Sequence, residues 1–267
     1  MITIVALTIA GIVLSQLGIL PYLRIRSTII VFHSLGTICF IVGIWLWVSA
    51  AIKEKLQDTQ MLFITAGMGG GTGTGAAPVV ADIARQEMGI LTIGVVTKPF
   101  KFEGNVRARQ AEEGISELAK HVDSLIIIPN EKLNEVGVEK ITLLNAFKIS
   151  DDVLRQAVQS VSDLITKDGL INLDFADVTS VMKDAGRAHM GIGIASGKGR
   201  AEAAAKKAIT SPLLETSVDN AKGVIVCISA SPDVTMDEVN NAMTIINQAA
   251  SPDANIIFGL YLDERKE

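Results

Sequence analysis

The chain has 267 residues, of which 49% are hydrophobic and 20% are charged, and its mean hydropathy is +0.39. This apolar content excludes a disordered chain, and the length allows one large or two smaller domains. The formal net charge is −5 and no basic stripe is present, which argues against a nucleic-acid partner. Because Cys39 and Cys227 are isolated and no Cys/His ligand spacing occurs, we predict a reducing compartment, no disulfide and no metal site built from side chains.

Residues 1–52 differ in composition from the rest of the chain. They contain no acidic residue and only two basic ones, Arg24 and Arg26. Residues 2–20 and residues 27–52 carry no Asp, Glu, Lys or Arg, and each run is long enough to cross a hydrocarbon core of about 30 Å. The first interpretation is therefore an apolar helical hairpin that enters the membrane.

Three other interpretations of this apolar segment stay open. A cleaved signal peptide is disfavoured, because no basic residue precedes the first run and that run is too long. The segment can also be a pair of buried elements in a soluble fold. The third interpretation is that residues 1–52 are not native to the body, as a frameshift or a wrong start site would produce.

Short Val- and Ile-rich runs alternate with helical patterns from residue 62 onward. Buried strands are predicted at residues 62–65, 90–97 and 125–128, with helices at residues 76–87 and 104–119 between them. This alternation is typical of a parallel sheet with right-handed crossovers, and hence of an α/β fold.

A long amphipathic helix is predicted next, at residues 150–166, ending at Gly169. A second α/β unit follows it, and the central helix is expected to pack between the two sheets. The elements predicted for this unit are a helix from Asp174, a strand at residues 189–195, a helix at 200–209, a strand at 224–229, a helix at 236–249 and a strand at 255–261. The predicted domains are residues 1–52, 53–149, 150–168 (the central helix) and 169–267.

The densest glycine cluster, GMGGGTGTG at residues 67–75, stands between a predicted strand and a predicted helix. Glycines let the backbone approach a phosphate closely, and the N–H groups at a helix N-terminus attract the anion. No Lys follows the glycines, so the cluster is not a Walker loop. Residues 71–76 also fit the dinucleotide pattern G-x-G-x-x-A, and Lys98 can meet a 2′-phosphate. An NADP-dependent oxidoreductase therefore remains an alternative, although the acidic ribose ligand is missing.

The GGGTGTG sequence at residues 69–75 looks like the tubulin signature, and residues 52–262 resemble FtsZ, the tubulin-like GTPase family of bacterial cell division. The resemblance implies a tubulin/FtsZ-like fold, in which a Rossmann-like GTPase domain is joined by a long central helix to a second α/β domain. Four further motifs carry it, namely TKPF at 97–100, FEG at 102–104, NLDFADV at 172–178 and SPLLE at 211–215.

The resemblance also implies a site for GTP or GDP, with Mg²⁺ beside the phosphates. Glu103 would bind the ribose and Arg107 would reach the phosphates, while Phe147 stacks on the base and Asp151 selects guanine. The alternatives are an ordinary ion pair between Glu103 and Arg107, a core position for Phe147 and a helix cap at Asp151. The phosphate-binding residues implied are Gly69, Gly70, Gly71, Thr72, Gly73, Thr74 and Gly75.

Hydrolysis is implied to involve a second loop, which carries Asn172, Asp174 and Asp177. In the family this loop enters the nucleotide site of the next subunit in a filament, where the two aspartates position the attacking water and Asn172 orients the loop. GTP hydrolysis would then require polymerisation. The ordinary alternative is that Asp174 caps a helix, with Asp177 one turn on.

The chain departs from the family pattern at both ends. The resemblance implies earlier Gly-rich loops, but residues 1–51 hold only isolated glycines, so we expect this chain to bind GTP weakly or not at all. The resemblance also implies a tail that docks other division proteins, and we expect no docking through such a tail by this chain. The expected partners are further copies in a filament and other division proteins, and the expected location is the cytoplasm at the division site, with membrane contact through residues 1–52. The alternative function is a membrane-anchored, catalytically silent protein that interacts with filaments.

Overall fold

The computed structural model describes residues 24–133, 142–167, 169–214 and 221–263. Its contacts divide the chain into two compact units, Met1–Asp58 and Thr59–Glu267. The finer domain boundaries given above stay predictions.

The first unit contains helix α1, Arg24–Lys55, which includes the second apolar run. Trp45 and Trp47 on this helix are exposed. In the part of the chain that the structure describes, no helix combines the length and the apolar character needed to span a membrane. The first run of the predicted hairpin, residues 2–20, lies outside the described residues, so the hairpin is not confirmed.

A four-stranded parallel sheet organises the second unit, with strand order β1-β2-β3-β4. Strands β2 and β3 are buried along nearly their whole length, which explains their continuous apolar sequences. Helices α2 and α3 cover one face of this sheet, and α2 continues into a π turn at Ile83–Glu87. The elements are β1 (Met61–Gly67), α2 (Gly71–Asp82), β2 (Leu91–Lys98), α3 (Asn105–Leu118), β3 (Ser124–Pro129) and β4 (Gly186–Ala188).

The central helix α4, Leu143–Thr166, packs between that sheet and a second, two-stranded parallel sheet of β5 and β6. Its buried residues Val153, Ala157, Val161 and Leu164 share one core with side chains of β2, β3, β5 and β6. The predicted placement of this helix between two sheets is confirmed. The remaining elements are α5 (Phe175–Met182), α6 (Arg200–Ile209), β5 (Gly223–Ala230), α7 (Met236–Ala249) and β6 (Asn255–Leu262).

Two predicted helix starts and one predicted strand are wrong. Helix α2 begins at Gly71 rather than residue 76, within the glycine cluster. Helix α4 begins at Leu143 rather than residue 150, because Thr142 Oγ1 caps it by accepting from Asn145 N at 3.3 Å. The strand predicted at residues 189–195 does not form.

The segment at residues 189–195 packs against helix α6 and does not form a strand. Strand β4 ends at Ala188, and the glycines that follow it lie directly against the backbone of α6. Gly191 contacts Ala208 and Gly193 contacts Ala204 so closely that neither position has room for a Cβ. The glycines in this segment therefore serve close packing on a helix.

The parallel register aligns Gly67 of β1 with Thr97 of β2, and Lys98 of β2 with Pro129 of β3. The segments that follow these three strands therefore leave the sheet at one edge, the carboxyl edge. In open α/β sheets, ligands bind in the crevice outside this edge.

Candidate functional site

The glycine loop begins where β1 reaches the carboxyl edge. Met68 is buried, and its N–H donates to Thr97 O at 3.0 Å, which anchors the start of the loop to β2. Gly69 N donates to Thr74 Oγ1 at 2.9 Å, so the loop folds back on the first turn of α2. The Thr74 hydroxyl oxygen thus accepts a hydrogen bond within the loop, whereas the Thr72 side chain is exposed.

A Cβ at Gly73 would lie 3.0 Å from Gly67 O, but Gly69 is the most restricted position of this loop. Its φ is +94°, and a Cβ there would lie 2.6 Å from the carbonyl oxygen of Arg107. At Gly70, Gly71 and Gly75 a Cβ would meet no atom within 4 Å. The loop is therefore anchored against α3 at Gly69 and opens outward beyond it.

The part of the loop that faces outward, from Gly70 onward, forms the N-terminus of α2. Gly70 is the N-cap residue, and it makes no side-chain capping hydrogen bond. Backbone N–H groups in the first turn of a helix lack intrahelical partners and carry a partial positive charge. An exposed turn of this kind suits a phosphate.

Glu103 and Arg107 lie beside the loop and form an ion pair, with Glu103 Oε2 at 3.1 Å from Arg107 Nε. Glu103 also accepts from Phe100 N at 2.8 Å, through Oε1. The ion-pair interpretation is confirmed, but the pair is not simply solvated, since the Glu103 side chain is only 12% exposed. Glu103 holds the Arg107 side chain next to Gly69.

The next two predicted site residues, Phe147 and Asp151, lie near the start of α4. Phe147 is 44% exposed, and its ring makes edge contacts with Phe100 and Phe102 at centroid distances of 5.5 and 6.4 Å. Asp151 is exposed one turn further along the helix. The core interpretation of Phe147 and the capping interpretation of Asp151 are both wrong, because the ring is exposed and the helix is capped at Thr142.

A buried contact that the sequence analysis missed holds this part of α4 at the carboxyl edge. Ser150 Oγ donates to Asn130 Oδ1 at 2.8 Å, and both residues are buried. Asn130 follows β3 directly and Ser150 precedes Asp151. Asn130, a polar residue directly after a buried strand, could have been noticed in the sequence. Nothing in the sequence indicates that it contacts a residue 20 positions away.

The acidic loop lies at the other end of α4. Asp174 caps α5 by accepting from Asp177 N at 2.7 Å, and Asp177 accepts from Asp174 N at 3.3 Å. Asn172 Oδ1 accepts from Gly169 N at 2.7 Å. The capping interpretation of the two aspartates is confirmed, and Asn172, Asp174 and Asp177 are all exposed.

The structure gathers the predicted nucleotide-binding residues at one place and leaves the acidic loop at another. Contacts run without a break from Gly69 to Arg107, Glu103, Phe100 and Phe147. From Asp151 to Thr166 the central helix rises about 22 Å. We call the two places the glycine-loop end (residues 69–75 with Glu103, Arg107, Phe147 and Asp151) and the acidic-loop end (Asn172, Asp174 and Asp177).

Comparisons with known families agree with this geometry. The GTPase-domain model of the Tubulin/FtsZ family matches residues 44–137, and the C-terminal-domain model of the FtsZ family matches residues 186–267. The chain belongs to the Tubulin/FtsZ family. The first match starts at residue 44, inside the predicted apolar segment. The glycine loop is accounted for by the Tubulin/FtsZ family, so an NADP site is not needed to explain it.

Known relatives extend beyond the region that they share with this chain. Cell division protein FtsZ 1 of Rhizobium meliloti (strain 1021) is 56% identical over 217 residues, which are 81% of this chain and 37% of the relative. An empty FtsZ dimer from M. jannaschii shares 46% identity with a TM-score of 0.78, covering 82% of this chain and 63% of that one. CetZ from Methanosaeta thermophila strain DSM 6194, at 18% identity and a TM-score of 0.66, shows the fold alone. The chain thus spans less than two thirds of the length of these FtsZ relatives.

Proposed function

We propose that this chain binds guanine nucleotide and forms filaments in cell division, with each GTPase site shared between successive subunits. The observation that supports this most strongly is the separation of the two ends. The central helix rises about 22 Å between Asp151, at the glycine-loop end, and Thr166, which precedes the acidic loop. Head-to-tail association would bring the acidic-loop end of one copy to the glycine-loop end of the next.

The glycine-loop end offers separate contacts for each part of GTP. The first turn of α2 would bind the phosphates, and Arg107 beside Gly69 would add positive charge there. The exposed ring of Phe147 would stack on the base, and Asp151 would accept hydrogen bonds from guanine N1–H and the 2-amino group. Adenine lacks both donors, so this pair would favour GTP. Glu103 contacts both Arg107 and the backbone N–H of Phe100, and from there it would meet the ribose.

The acidic loop would act on the γ-phosphate of the neighbouring subunit. Asp174 and Asp177 are exposed carboxylates that would orient a water for in-line attack, and catalysis of this kind consists mostly of positioning and charge stabilisation. Among the described residues no group of three or more His, Cys, Asp or Glu forms a metal cage. Mg²⁺ would therefore be held chiefly by phosphate oxygens and water, and would neutralise charge that develops there.

Exposed apolar side chains at both ends support contact between copies. Phe102 and Val106 are 61% and 62% exposed at the glycine-loop end, and Leu170 is 67% exposed next to the acidic loop. Apolar groups of this kind commonly form the centre of a protein interface. We expect Leu170 of one copy to pack near Phe102 and Val106 of the next.

The proposed place of action is the cytoplasm at the division site, together with other division proteins. The name of the Rhizobium relative, Cell division protein FtsZ 1, supports this proposal. A membrane-anchored, catalytically silent role has no support among the described residues.

Mixing two disabled variants tests the shared site. Arg107→Ala should weaken nucleotide binding while the acidic loop stays intact, and Asp177→Asn should do the reverse. Each variant alone should hydrolyse little GTP at a concentration that just saturates the wild type. An equimolar mixture should recover about a quarter of the wild-type rate, because one head-to-tail contact in four pairs two intact ends.

Asp152→Asn is the matched control for Asp177→Asn, because it removes an exposed carboxylate from the side of α4, where Asp152 pairs with Arg155 at 3.4 Å. This variant should hydrolyse GTP as the wild type does. A mixture of Arg107→Ala and Asp177→Asn that is no faster than the two variants measured separately would show that the site is not shared.

A further inference from the structure

The last residue before the acidic-loop segment, Lys167, is attached to two different elements. Its Nζ lies 2.7 Å from Asp163 Oδ2, one turn back in α4, and 4.8 Å from the centre of the Tyr261 ring on β6. The Asp163 side chain is only 10% exposed. Hydrogen bonding to Asp163 raises the pKa of Lys167, so the ammonium remains charged and its attraction to the ring persists.

Tyr261 is a fixed partner for this lysine. The residue is partly buried on β6 and is aligned with Ser229 of β5 in the parallel sheet. Burial raises the pKa of Tyr261, which keeps the hydroxyl neutral. Lys167 therefore joins the end of the central helix to a well-held position in the second sheet.

The acidic-loop segment, residues 169–177, is attached to Leu260, the residue that precedes Tyr261 on β6. Ile171 N donates to Leu260 O at 3.2 Å, and Leu260 N donates to Ile171 O at 2.9 Å. Gly169 also lies against this strand, since a Cβ there would be 2.5 Å from Leu260 O. Two adjacent residues of β6, Leu260 and Tyr261, thus hold the loop and the helix end that precedes it.

We infer that Lys167 is a positioning residue for GTP hydrolysis, through its ion pair with Asp163 and its contact with the Tyr261 ring. This clip fixes the end of α4 on β6 and so sets the position from which Asp174 and Asp177 reach the nucleotide of the next subunit. The inference rests on the proposed function, because only a loop that acts on a neighbour needs this placement.

If Lys167 positions the acidic loop, its replacement should lower the rate in only one of two mixtures of variants. Lys167→Met keeps the aliphatic stem and removes the charge. Placed in the Arg107→Ala chain, which supplies the acidic loop, it should lower the kcat of the mixture roughly tenfold at an unchanged KM for GTP, because small displacements of catalytic groups cost up to about 10²-fold. Placed in the Asp177→Asn chain, which supplies the nucleotide, it should leave kcat unchanged. A purely structural role would affect both mixtures alike.

Conservative variants at both positions supply the matched controls. Lys167→Arg keeps the ion pair and the contact with the ring and should restore kcat, whereas Tyr261→Leu should lower it as Lys167→Met does. Tyr261→Phe keeps the ring and should retain most of the rate. Equal kcat for Lys167→Met and the parent chain, or failure of Lys167→Arg to restore it, would overturn the inference.

Amide hydrogen exchange separates this inference from the proposed function. In the wild-type chain without nucleotide, the amides of residues 169–177 should exchange at least severalfold more slowly than in Lys167→Met, because opening of this segment is easier once the clip is gone. Unchanged exchange would overturn the inference. If the parent mixture hydrolyses no GTP, the proposed function fails, and hydrogen exchange still decides whether the clip holds the loop.

Discussion

Glu103, Asp174 and Asp177 each combine a structural hydrogen bond with a place in the proposed GTPase site. Glu103 holds Arg107 beside the glycine loop, and the two aspartates cap α5. Their spacing in the sequence predicted these contacts, because the partners lie within four positions, whereas their places in the site came from the family resemblance. The Ser150–Asn130 contact was not predictable, since it joins side chains that only the fold brings together.

Substitution of Gly69 tests the anchoring of the glycine loop. Gly69→Ala places a Cβ 2.6 Å from Arg107 O at a φ of +94°, so the loop has to move. We expect a loss of about 1–3 kcal/mol in the free energy of unfolding. Urea unfolding measures this change.

Gly70→Ala is the control within the same loop. Its φ is −92°, and a Cβ there meets no atom within 4 Å, so we expect the free energy of unfolding to change by less than about 1 kcal/mol. Equal stability of the Gly69→Ala and Gly70→Ala variants would contradict the loop geometry.

At the scale of elements, hydrophobic periodicity predicted the strands and helices that bury a regular face. The helix predicted at residues 236–249 has the bounds found for α7, Met236–Ala249. The strand predicted at residues 189–195 failed because Gly191 and Gly193 pack on the backbone of α6, and periodicity does not reveal such a partner. The start of α4 was placed too late because Thr142, rather than a residue near position 150, is its cap.

Acid should weaken the contact between α6 and α7. Arg200 Nε lies 2.9 Å from Glu238 Oε1, and hydrogen bonding to Arg200 lowers the pKa of Glu238 below its ordinary value of 4.5. A lowered carboxyl pKa stabilises the folded state above that ordinary value, and the stabilisation disappears as the pH falls through the folded-state value. We therefore expect Glu238→Gln to be less stable than the wild type at pH 7, with a difference that shrinks as the pH drops below about 4.5.

Urea unfolding between pH 3 and pH 7 measures this difference. Asp237→Asn is the control, because it removes a carboxylate from the same turn of α7 and leaves the Arg200–Glu238 pair in place. A stability difference between Glu238→Gln and the wild type that stays constant over this pH range would contradict the linkage.

At the scale of the whole molecule, the parallel sheet and the central helix divide the site into two ends. The α/β class and the central helix were predictable from the alternation of elements and the apolar periodicity. The resemblance to the Tubulin/FtsZ family was carried by the glycine cluster and four further motifs. The rise of the helix between the two ends was predictable as well, because Asp151 and Thr166 both lie within the helix predicted at residues 150–166. That division makes association between subunits part of the proposed chemistry.

The most direct test of the shared site uses an FtsZ relative as the nucleotide-bearing subunit, which makes the outcome independent of how tightly this chain itself binds GTP. FtsZ 1 of Rhizobium meliloti, with the residues that align with Asp174 and Asp177 replaced by asparagine, should hydrolyse GTP very slowly. Addition of this chain should restore hydrolysis in proportion to the amount added, whereas the Asp177→Asn variant should not. Hydrolysis that stays at the level of the disabled relative, or that the Asp177→Asn variant restores equally well, would contradict the account.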